Sequence, residues 1–264
     1  FFLWGARQTG KSTLLKTLYP DSLWFDLLLS DVFERLQRNP ALFRETILAA
    51  NKKKPVVVDE VQRLPGLLNE VHWLMTNKNV RFVLCGSSAR KIIKTDTNLL
   101  GGRALRFELY PLIYKEIDDF DLTRALNHGL LPRHYLSSRS WKRISAYIGS
   151  YLRDEIMAEA RIRNIASFSR FLEAAAFSNG EIVNYSNIAA DCGVSAPTIK
   201  EYFQILEDTL TGRFLPSFQK KSKRRVIRAP KFYYFDMGIA NYLLKRKSIE
   251  PGSEAFGRVF EHFI

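Results

Sequence analysis

The sequence is poor in cysteine, in acidic side chains and in long apolar runs, and each shortage excludes a class of protein. Only two of the 264 residues are cysteines, Cys85 and Cys192, and each is flanked by apolar or small residues in an unrelated segment. A disulfide-stabilised secreted scaffold is thereby excluded, and two buried thiols in a cytoplasmic protein are expected. No apolar run approaches the roughly 20 residues that a membrane-spanning helix needs, so no membrane contact is expected.

Acidic residues are outnumbered by basic ones. The 27 Asp and Glu residues stand against 40 Lys and Arg residues, which gives a formal net charge of +13. This excess favours polyanionic partners, nucleic acid above all, although a generally basic surface is the alternative. The length suggests more than one domain. Because the chain begins at Phe1, inside a predicted strand, we expect the native N-terminus to be missing, which leaves a targeting segment open.

A glycine-bounded loop near the start of the chain carries the most specific motif. Residues 1–4 predict a strand, residues 5–12 read GARQTGKS, and the residues that follow favour a helix. This is the P-loop spacing, in the strand–loop–helix context in which the motif binds phosphate. A glycine-bearing turn that contains a lysine by chance is the alternative.

The P-loop predicts ATP binding by its backbone and by two side chains. Because Gly5 and Gly10 have no side chain, consecutive N–H groups can close around a phosphate at the positive end of the following helix. Lys11 is expected to reach the β- and γ-phosphates and to serve catalysis, and the Ser12 hydroxyl is expected to coordinate Mg²⁺. The predicted nucleotide-binding residues are Gly5, Ala6, Arg7, Gln8, Thr9, Gly10, Lys11, Ser12 and Thr13.

Paired carboxylates follow a second apolar run. Residues 55–60 read PVVVDE, and three β-branched residues in a row predict a buried parallel strand. At the carboxyl end of this strand, Asp59 and Glu60 are expected to point into the crevice where the P-loop lies. Asp59 is then predicted to hold Mg²⁺, and Glu60 to deprotonate the attacking water. Two solvated acids after a strand are the alternative.

The other apolar runs complete an α/β pattern. Strands are predicted at 22–27, 81–88 and 104–109, the last with the alternation of an edge strand, and helices at 31–48, split near Pro40, and at 66–77. Ser87 or Ser88 ends a strand beside the predicted Asp59 strand. One of them, with Ser88 as the catalytic candidate, is expected to touch the γ-phosphate or the catalytic water; a helix N-cap is the alternative.

These motifs together resemble the AAA+ class of P-loop ATPases. The resemblance is closest to a family of predicted bacterial and archaeal ATPases with an AAA-type domain and a characteristic C-terminal region, and it spans essentially the whole chain. It implies an arginine that contacts a neighbouring subunit's γ-phosphate in a homo-oligomer. Arg103 occupies that place, Arg90 is a rival, and a surface arginine is the alternative. The matching segments are 5–12, 58–62 (VDEVQ), 86–91 (GSSARK), 102–104 (GRA) and 109–112 (LYPL).

The second half of the sequence predicts a winged helix-turn-helix module. After a helical stretch at 112–163 and a helix at 168–177, residues 185–206 form two predicted helices separated by a turn at Gly193. Ser195 caps the second of these helices, which carries Thr198 and Lys200 outward. Apolar edges at 213–216 and 226–228 flank a basic hairpin tip, whose cations are Lys220, Lys221, Lys223, Arg224 and Arg225.

Thr198, Lys200 and the cations of the tip are the candidate nucleic-acid contacts, because clustered cations suit phosphates. Docking of a protein, or a charged tip that is only solvated, are the alternatives.

The last residues resemble the beginning of a restriction-endonuclease-like domain, at 231–238 (KFYYFDMG) and 257–261 (GRVFE). The Asp and Glu-x-Lys elements of such a nuclease are not in the sequence, so no DNA cleavage through this region is expected. The predicted organisation is a P-loop core at 1–112, a helical bridge at 113–165, a winged helix at 166–230 and a truncated nuclease-like region at 231–264.

The predicted function is Mg²⁺-dependent ATP hydrolysis by an α/β, AAA-type P-loop fold with a parallel sheet flanked by helices. The winged helix is expected to contact DNA or a protein partner. Two alternatives stay open: a nucleotide switch that hydrolyses ATP slowly, and a DNA-binding regulator in which the P-loop core is mainly structural. Glu60 favours hydrolysis over the switch.

Overall fold

The computed structural model describes residues 1–50, 54–88, 104–156, 162, 164–217 and 229–264, without the side chains of 153–155. These residues form two compact units, Phe1–Tyr110 and Pro111–Ile264. Arg90 and Arg103 lie outside the described residues. The same holds for the cations of the predicted hairpin tip, Lys220, Lys221, Lys223, Arg224 and Arg225.

The first unit is built on a parallel sheet, which has five strands in the described part of the chain. They are β1 (Phe2–Trp4), β2 (Trp24–Asp26), β3 (Val56–Asp59), β4 (Phe82–Gly86) and β5 (Arg106–Glu108). Their order in space is β2-β3-β4-β1-β5, and each neighbouring pair is parallel. The predicted α/β class and the edge position of the fifth strand are confirmed.

The inner strands of this sheet are covered by helices. Every residue of β3 and of β4 is buried, as expected for parallel strands between helical layers. The chain breaks at Asn39 and Pro40 between two helices, because proline cannot continue a helix from the residues before it. The helices of this unit are α1 (Lys11–Leu18), α2 (Ser30–Arg38), α3 (Ala41–Ala50) and α4 (Leu67–Lys78).

The strand order determines where a ligand can bind. β1 pairs with β4, and β4 pairs with β3, so the segments that follow these three strands open at one edge of the sheet. In open α/β sheets this carboxyl edge is where ligands bind. The P-loop, the end of β3 and the end of β4 are therefore neighbours.

The second unit is mostly helical around an aromatic core. Phe171, Phe203 and Phe232 are fully buried, with ring centroids 4.8 Å apart between Phe171 and Phe203 and between Phe203 and Phe232. The helices are α5 (Leu122–His128), α6 (Pro132–Tyr135), α7 (Ser140–Ala146), the π-helical segment Tyr147–Glu155, α8 (Ile165–Phe177), α9 (Tyr185–Cys192), α10 (Ala196–Asp208), α11 (Met237–Leu243) and α12 (Glu254–Phe263).

Two antiparallel strands, β6 (Gly212–Leu215) and β7 (Lys231–Tyr234), complete this unit. The sequence-based expectation assigned residues 231–238 to a nuclease-like region and placed the returning hairpin strand at 226–228, which lies outside the described residues. Phe232 and Tyr234 alternate inward into the core that Phe203 occupies. Because β7 pairs with β6 along its whole length, residues 231–264 belong to the same compact unit.

A buried carboxylate ties two distant corners of this unit together. Oδ2 of Asp236 accepts hydrogen bonds from the N–H groups of Leu130 at 2.7 Å and Leu131 at 3.0 Å. Oδ1 accepts from the N–H groups of Gly238 at 2.9 Å and Ile239 at 3.3 Å, at the start of α11. Burial raises the pKa of Asp236 to about 6, although the four N–H groups act in the opposite direction.

Candidate functional site

The P-loop joins β1 to α1 through backbone conformations that favour glycine. Gly10 has φ 96° and Gln8 has φ 66°, both in the left-handed region. At Gly5 a side chain has no room, because a Cβ atom there would lie 2.5 Å from the carbonyl oxygen of Leu109. The loop is thus a fixed turn before a helix N-terminus, which is the geometry that binds phosphate.

Lys11 is the first residue of α1, and its side chain lies inside the loop. Its Nζ donates hydrogen bonds to the carbonyl oxygens of Gly5 at 2.7 Å and Ala6 at 2.9 Å. Burial lowers the pKa of Lys11, and the charges of Glu60 and Asp59 oppose this effect. A buried ammonium group that carbonyl oxygens alone contact would gain from a phosphate oxygen nearby.

The end of β3 meets the beginning of α1 through one hydrogen bond. Ser12 Oγ donates to Asp59 Oδ2 at 2.6 Å, and Asp59 Oδ1 accepts from the N–H of Glu60 at 3.0 Å. Mg²⁺ prefers such oxygen ligands and usually takes the rest from phosphates and water. Within the described ranges, no group of three or more His, Cys, Asp or Glu could hold a metal without such help. The Ser12–Asp59 pair therefore fits Mg²⁺ only together with a bound nucleotide.

Glu60 stands in an unusual backbone conformation. Its φ of 56° and ψ of 43° place it in the left-handed region, which non-glycine residues adopt rarely and often at functional sites. The residue is 8% exposed, and its Oε2 accepts a hydrogen bond from Ser87 Oγ at 3.2 Å. A second hydrogen bond reaches the same oxygen from Gln62 Nε2. The carboxylate of Glu60 is therefore fixed by two side chains.

Gln62 is a residue to which the sequence analysis gave no role. It lies in the 3₁₀ turn Val61–Arg63, which begins after Glu60 and turns the chain back toward the end of β4. Its Nε2 also donates to Ser87 Oγ at 3.1 Å. Gln62 belongs to the segment 58–62 that carries the family resemblance, but the resemblance was not used to give it a role.

The two serines after β4 differ in what they contact. Ser87 meets Glu60 and Gln62, whereas the sequence-based catalytic candidate was Ser88, whose side chain is fully buried. Cys85, inside β4, is a free buried thiol, as is Cys192. Burial raises the pKa of the Cys85 thiol far above its ordinary value, and the charge of Asp59 acts in the same direction.

The helix pair α9–α10 has the local geometry that the sequence predicted. Gly193 ends α9 with φ 66°, and Ser195 Oγ accepts from the N–H of Thr198 at 3.3 Å at the start of α10. Thr198 is half-buried and Lys200 is exposed, with its Nζ 5.3 Å from the ring centroid of Tyr185. Lys200 is the one cation of α10, which also carries Glu201, Glu207 and Asp208. This helix alone is therefore not a basic surface.

A basic surface does occur on α6 and α7. Three exposed cations lie on these helices and a fourth directly precedes α7, and none forms an ion pair with a residue that the structure describes; they are Arg133, Lys142 and Arg143, with Arg139 before α7. The sequence contains no acidic residue between Asp121 and Asp154. Arg133 and Arg143 line one open cavity of about 480 Å³ together with Ser137.

Hydrogen bonds from arginine side chains hold the turn between α6 and α7. Arg124 donates through Nε to the carbonyl oxygen of Tyr135 at 2.6 Å and through Nη2 to that of Ser137 at 2.8 Å. Arg143 Nε donates to Ser137 Oγ at 2.9 Å. These hydrogen bonds fix the turn next to the cations.

In the described part of the chain, no helix is both long and apolar enough to cross a membrane.

Two family models divide the chain between them. Residues 1–118 match an AAA domain, and residues 119–250 match a family described as a domain of unknown function, DUF8612. The P-loop and the parallel sheet thus lie in the part of the chain that is similar to an AAA domain. The second match covers half of the chain, and the chain belongs to the DUF8612 family.

Relatives with sequence similarity are described as uncharacterized proteins. Those of Mycobacterium bovis and Mycobacterium tuberculosis are each 26% identical over 256 residues, covering 92% of this chain and 55% of the relative. The chain thus spans about half the length of these two curated relatives. A protein of Haemophilus influenzae is 22% identical, with 97% of this chain and 72% of that protein covered.

Among solved structures, the chain is similar to the ORC1 protein of Aeropyrum pernix in complex with DNA. The identity is 12%, the TM-score is 0.32, and the similarity covers 92% of this chain and 86% of the other. A TM-score of this size does not establish a common fold.

Proposed function

We propose that this protein is an ATPase that hydrolyses ATP with Mg²⁺ at the P-loop. The observation that carries the proposal is the hydrogen bond of 2.6 Å between Ser12 Oγ and Asp59 Oδ2, beside the buried Lys11 and Glu60. A phosphate-binding loop, a pair of oxygen ligands and a carboxylate base are the groups that phosphoryl transfer to water requires.

The side chains near the loop have distinct parts in this proposal. Lys11 leaves its two carbonyl partners for the β- and γ-phosphate oxygens, where its charge is worth more than in water because the site is buried. Ser12 and Asp59 hold Mg²⁺, which when bound neutralises charge on the phosphate oxygens. Gly10 and its neighbours donate backbone N–H groups to the phosphates.

Glu60 accepts the proton of the attacking water. As the oxygen of that water bonds to the γ-phosphorus, the bond to the β–γ bridging oxygen breaks, which leaves ADP and inorganic phosphate. The water proton passes to a Glu60 carboxylate oxygen. A base of this kind contributes about 10²- to 10⁴-fold to the rate.

A Glu60→Gln substitution tests the proposal. We expect steady-state ATP turnover to fall about 10²-fold or more, because the amide cannot take the proton, while affinity for a fluorescent ATP analogue stays within about threefold. The matched control is Glu45→Gln, at an exposed position on α3. Undiminished turnover in a folded Glu60→Gln protein would remove Glu60 from the mechanism. Turnover that is already negligible in the unaltered protein would favour the slow nucleotide switch.

We propose further that the second unit contacts DNA through phosphates. The specific observation in favour is the set of four exposed cations of α6 and α7, for which the described residues supply no acidic partner. The helices α8 to α10 together with the β6–β7 ribbon support a winged helix-turn-helix interpretation. Thr198 and Lys200 are the contacts proposed for α10, and the hairpin cations at 220–225 stay a sequence-based part of the proposal.

Assembly belongs to the same set of proposals. An arginine finger at Arg103 would act on the γ-phosphate of a neighbouring subunit, which requires a homo-oligomer. The support is the resemblance of the sequence around Arg103, which lies outside the described residues.

A further inference from the structure

We propose that Gln62 is a positioning residue for Glu60. Together with Ser87 it fixes one carboxylate oxygen of Glu60, so that the other oxygen is presented to the attacking water. The inference rests on the proposed function, in which Glu60 accepts the proton of that water.

The three side chains form a closed ring of hydrogen bonds. The amide nitrogen of Gln62 donates to Glu60 Oε2 and, at 3.1 Å, to Ser87 Oγ. The Ser87 hydroxyl in turn donates to Glu60 Oε2 at 3.2 Å. One carboxylate oxygen has room for about two such donors, so Oε2 is saturated. Rotation of the Glu60 carboxylate would break two hydrogen bonds in a buried site.

The other oxygen of Glu60 is in a different situation. Oε1 makes no hydrogen bond to the residues that the structure describes, and it is not among the fully enclosed polar atoms that lack a partner. Among the described residues, the donors thus gather on Oε2 alone. The asymmetry between the two oxygens is what a base needs, because one side is anchored and the other receives the proton.

The orientation of the Gln62 amide follows from its surroundings. The residue is 5% exposed, and its Oε1 is buried without a hydrogen-bond partner. The exchange of the amide oxygen and nitrogen would bring an acceptor against Glu60 Oε2. Gly86 makes room for the observed orientation, since a Cβ atom there would lie 2.3 Å from Gln62 Oε1. In this orientation the amide oxygen of Gln62 has no hydrogen-bond partner, while its NH₂ group donates to both Glu60 and Ser87.

The backbone contributes to the same arrangement. Glu60 has φ 56° and begins the 3₁₀ turn in which Gln62 lies, so the two side chains leave one tight turn. Residues held in sparsely populated backbone regions persist where the surroundings over-determine them. The hydrogen-bonded ring, which joins the turn to the end of β4, supplies such a constraint.

A Gln62→Met substitution keeps a similar side-chain length but removes the NH₂ group, which donates to Glu60 Oε2 and to Ser87 Oγ. We expect kcat to fall about 10- to 100-fold, while KM and the equilibrium affinity for a fluorescent ATP analogue stay within about threefold. The reason is that Gln62 contacts Glu60 and not the P-loop. The control is Gln37→Met, the same replacement at an exposed position on α2, with unchanged kcat. Ser87→Ala removes one donor with little change of volume, and a smaller fall in kcat is expected.

A double-mutant cycle separates positioning from a structural role. In a Glu60→Gln background, Gln62→Met should change the single-turnover rate less than twofold, because Gln62 acts through the Glu60 carboxylate. A merely structural role would lower that rate, or the affinity for the ATP analogue, by similar factors in both backgrounds, and this would overturn the inference. Should Gln62→Met fail to fold, Ser87→Ala in both backgrounds gives the same test.

Failure of this inference is distinguishable from failure of the proposed function. If Glu60→Gln turns over normally, the proposed role of Glu60 is wrong, and the role of Gln62 falls with it. If Glu60→Gln is inactive while folded Gln62→Met and Ser87→Ala keep full kcat, the ATPase proposal stands and the positioning role of Gln62 is overturned.

Discussion

At the scale of single residues, burial is what gives the charged side chains of the P-loop region their strength. Lys11 and Glu60 are 5% and 8% exposed, so their charges are weakly screened by water. Each is held by a small number of hydrogen bonds: Lys11 by two carbonyl oxygens and Glu60 by two side-chain donors. A phosphate oxygen would add a further polar contact to Lys11, and a water molecule would add one to Glu60.

A Lys11→Ala substitution should abolish tight ATP binding, because it removes the side-chain cation aimed at the β- and γ-phosphates. We expect the affinity for a fluorescent ATP analogue to fall at least about 100-fold, in the range of a lost buried charge-assisted contact. The control is Lys16→Ala, an exposed position on the same helix. Equal affinity of folded Lys11→Ala and unaltered protein would contradict the P-loop assignment.

The sequence predicted the P-loop segment better than it predicted the partners of Glu60. Gly5, Gly10 and Lys11 act through a local turn, so their spacing alone carries the information. The ring of Gln62, Ser87 and Glu60 instead depends on which of the two serines after β4 turns toward the end of β3. Nothing in the local pattern distinguishes Ser87 from Ser88, because the alternation of a strand ends where these two residues begin.

At the scale of elements, α6 carries a side chain that is costly to bury. His134 is fully buried beside Tyr147, with ring centroids 5.5 Å apart, and neither of its ring nitrogens has a hydrogen-bond partner. Burial lowers the pKa of His134 to about 4, and the charge of Arg143 acts in the same direction. In the unfolded chain His134 has an ordinary histidine pKa near 6.5. Between about pH 6.5 and pH 4 it is therefore protonated in the unfolded chain and neutral in the folded chain.

A His134→Leu substitution should therefore change the pH dependence of stability. Since the folded pKa is depressed, the contribution of His134 to the free energy of unfolding falls as the pH drops from about 6.5 to about 4, by up to about 3 kcal/mol. The leucine variant lacks this loss, so its advantage over the unaltered protein should grow from pH 7 to pH 5. Urea unfolding at both values measures it, and parallel pH slopes of the two proteins would disprove the assignment.

The strand β7 shows which elements sequence patterns could not assign. Burial alternates along residues 231–234, but such a pattern does not say which strand this one pairs with. The partner is β6, with Phe214 opposite Phe232. The sequence analysis placed the returning strand at 226–228, because apolar residues there flank the basic tip.

At the scale of the whole molecule, the net charge of +13 is not distributed evenly over the predicted DNA-binding elements. The helix α10 carries three acidic side chains and one cation, whereas the cations of α6 and α7 form no ion pair with a residue that the structure describes. Phosphate contacts would therefore come from α6 and α7 more than from α10. Such binding is strongly salt-dependent and weakly sequence-specific.

Replacing the four cations of α6 and α7 by alanine should flatten the salt dependence of duplex DNA binding. If each contacts one phosphate, the log–log slope changes by about 0.9 per cation, or by about 3 to 4 units in all. A salt titration measures it, and ATP affinity should stay within about threefold. The control removes four other exposed cations, Lys16, Lys78, Lys245 and Lys247. Equal slopes for the two quadruple variants would show that α6 and α7 do not contact DNA.

The tie made by Asp236 has a consequence for the order in which the chain can acquire its structure during synthesis. The carboxylate and the N–H of Leu130 are 106 residues apart, so the corner between α5 and α6 leaves the ribosome long before its partner exists. Contacts between residues so far apart form late, because the loop between them must first be closed. Until Asp236 emerges, the apolar side chains of α5 to α7 lack the residues they pack against and stay exposed. We therefore expect chaperones to bind the nascent chain at this stretch.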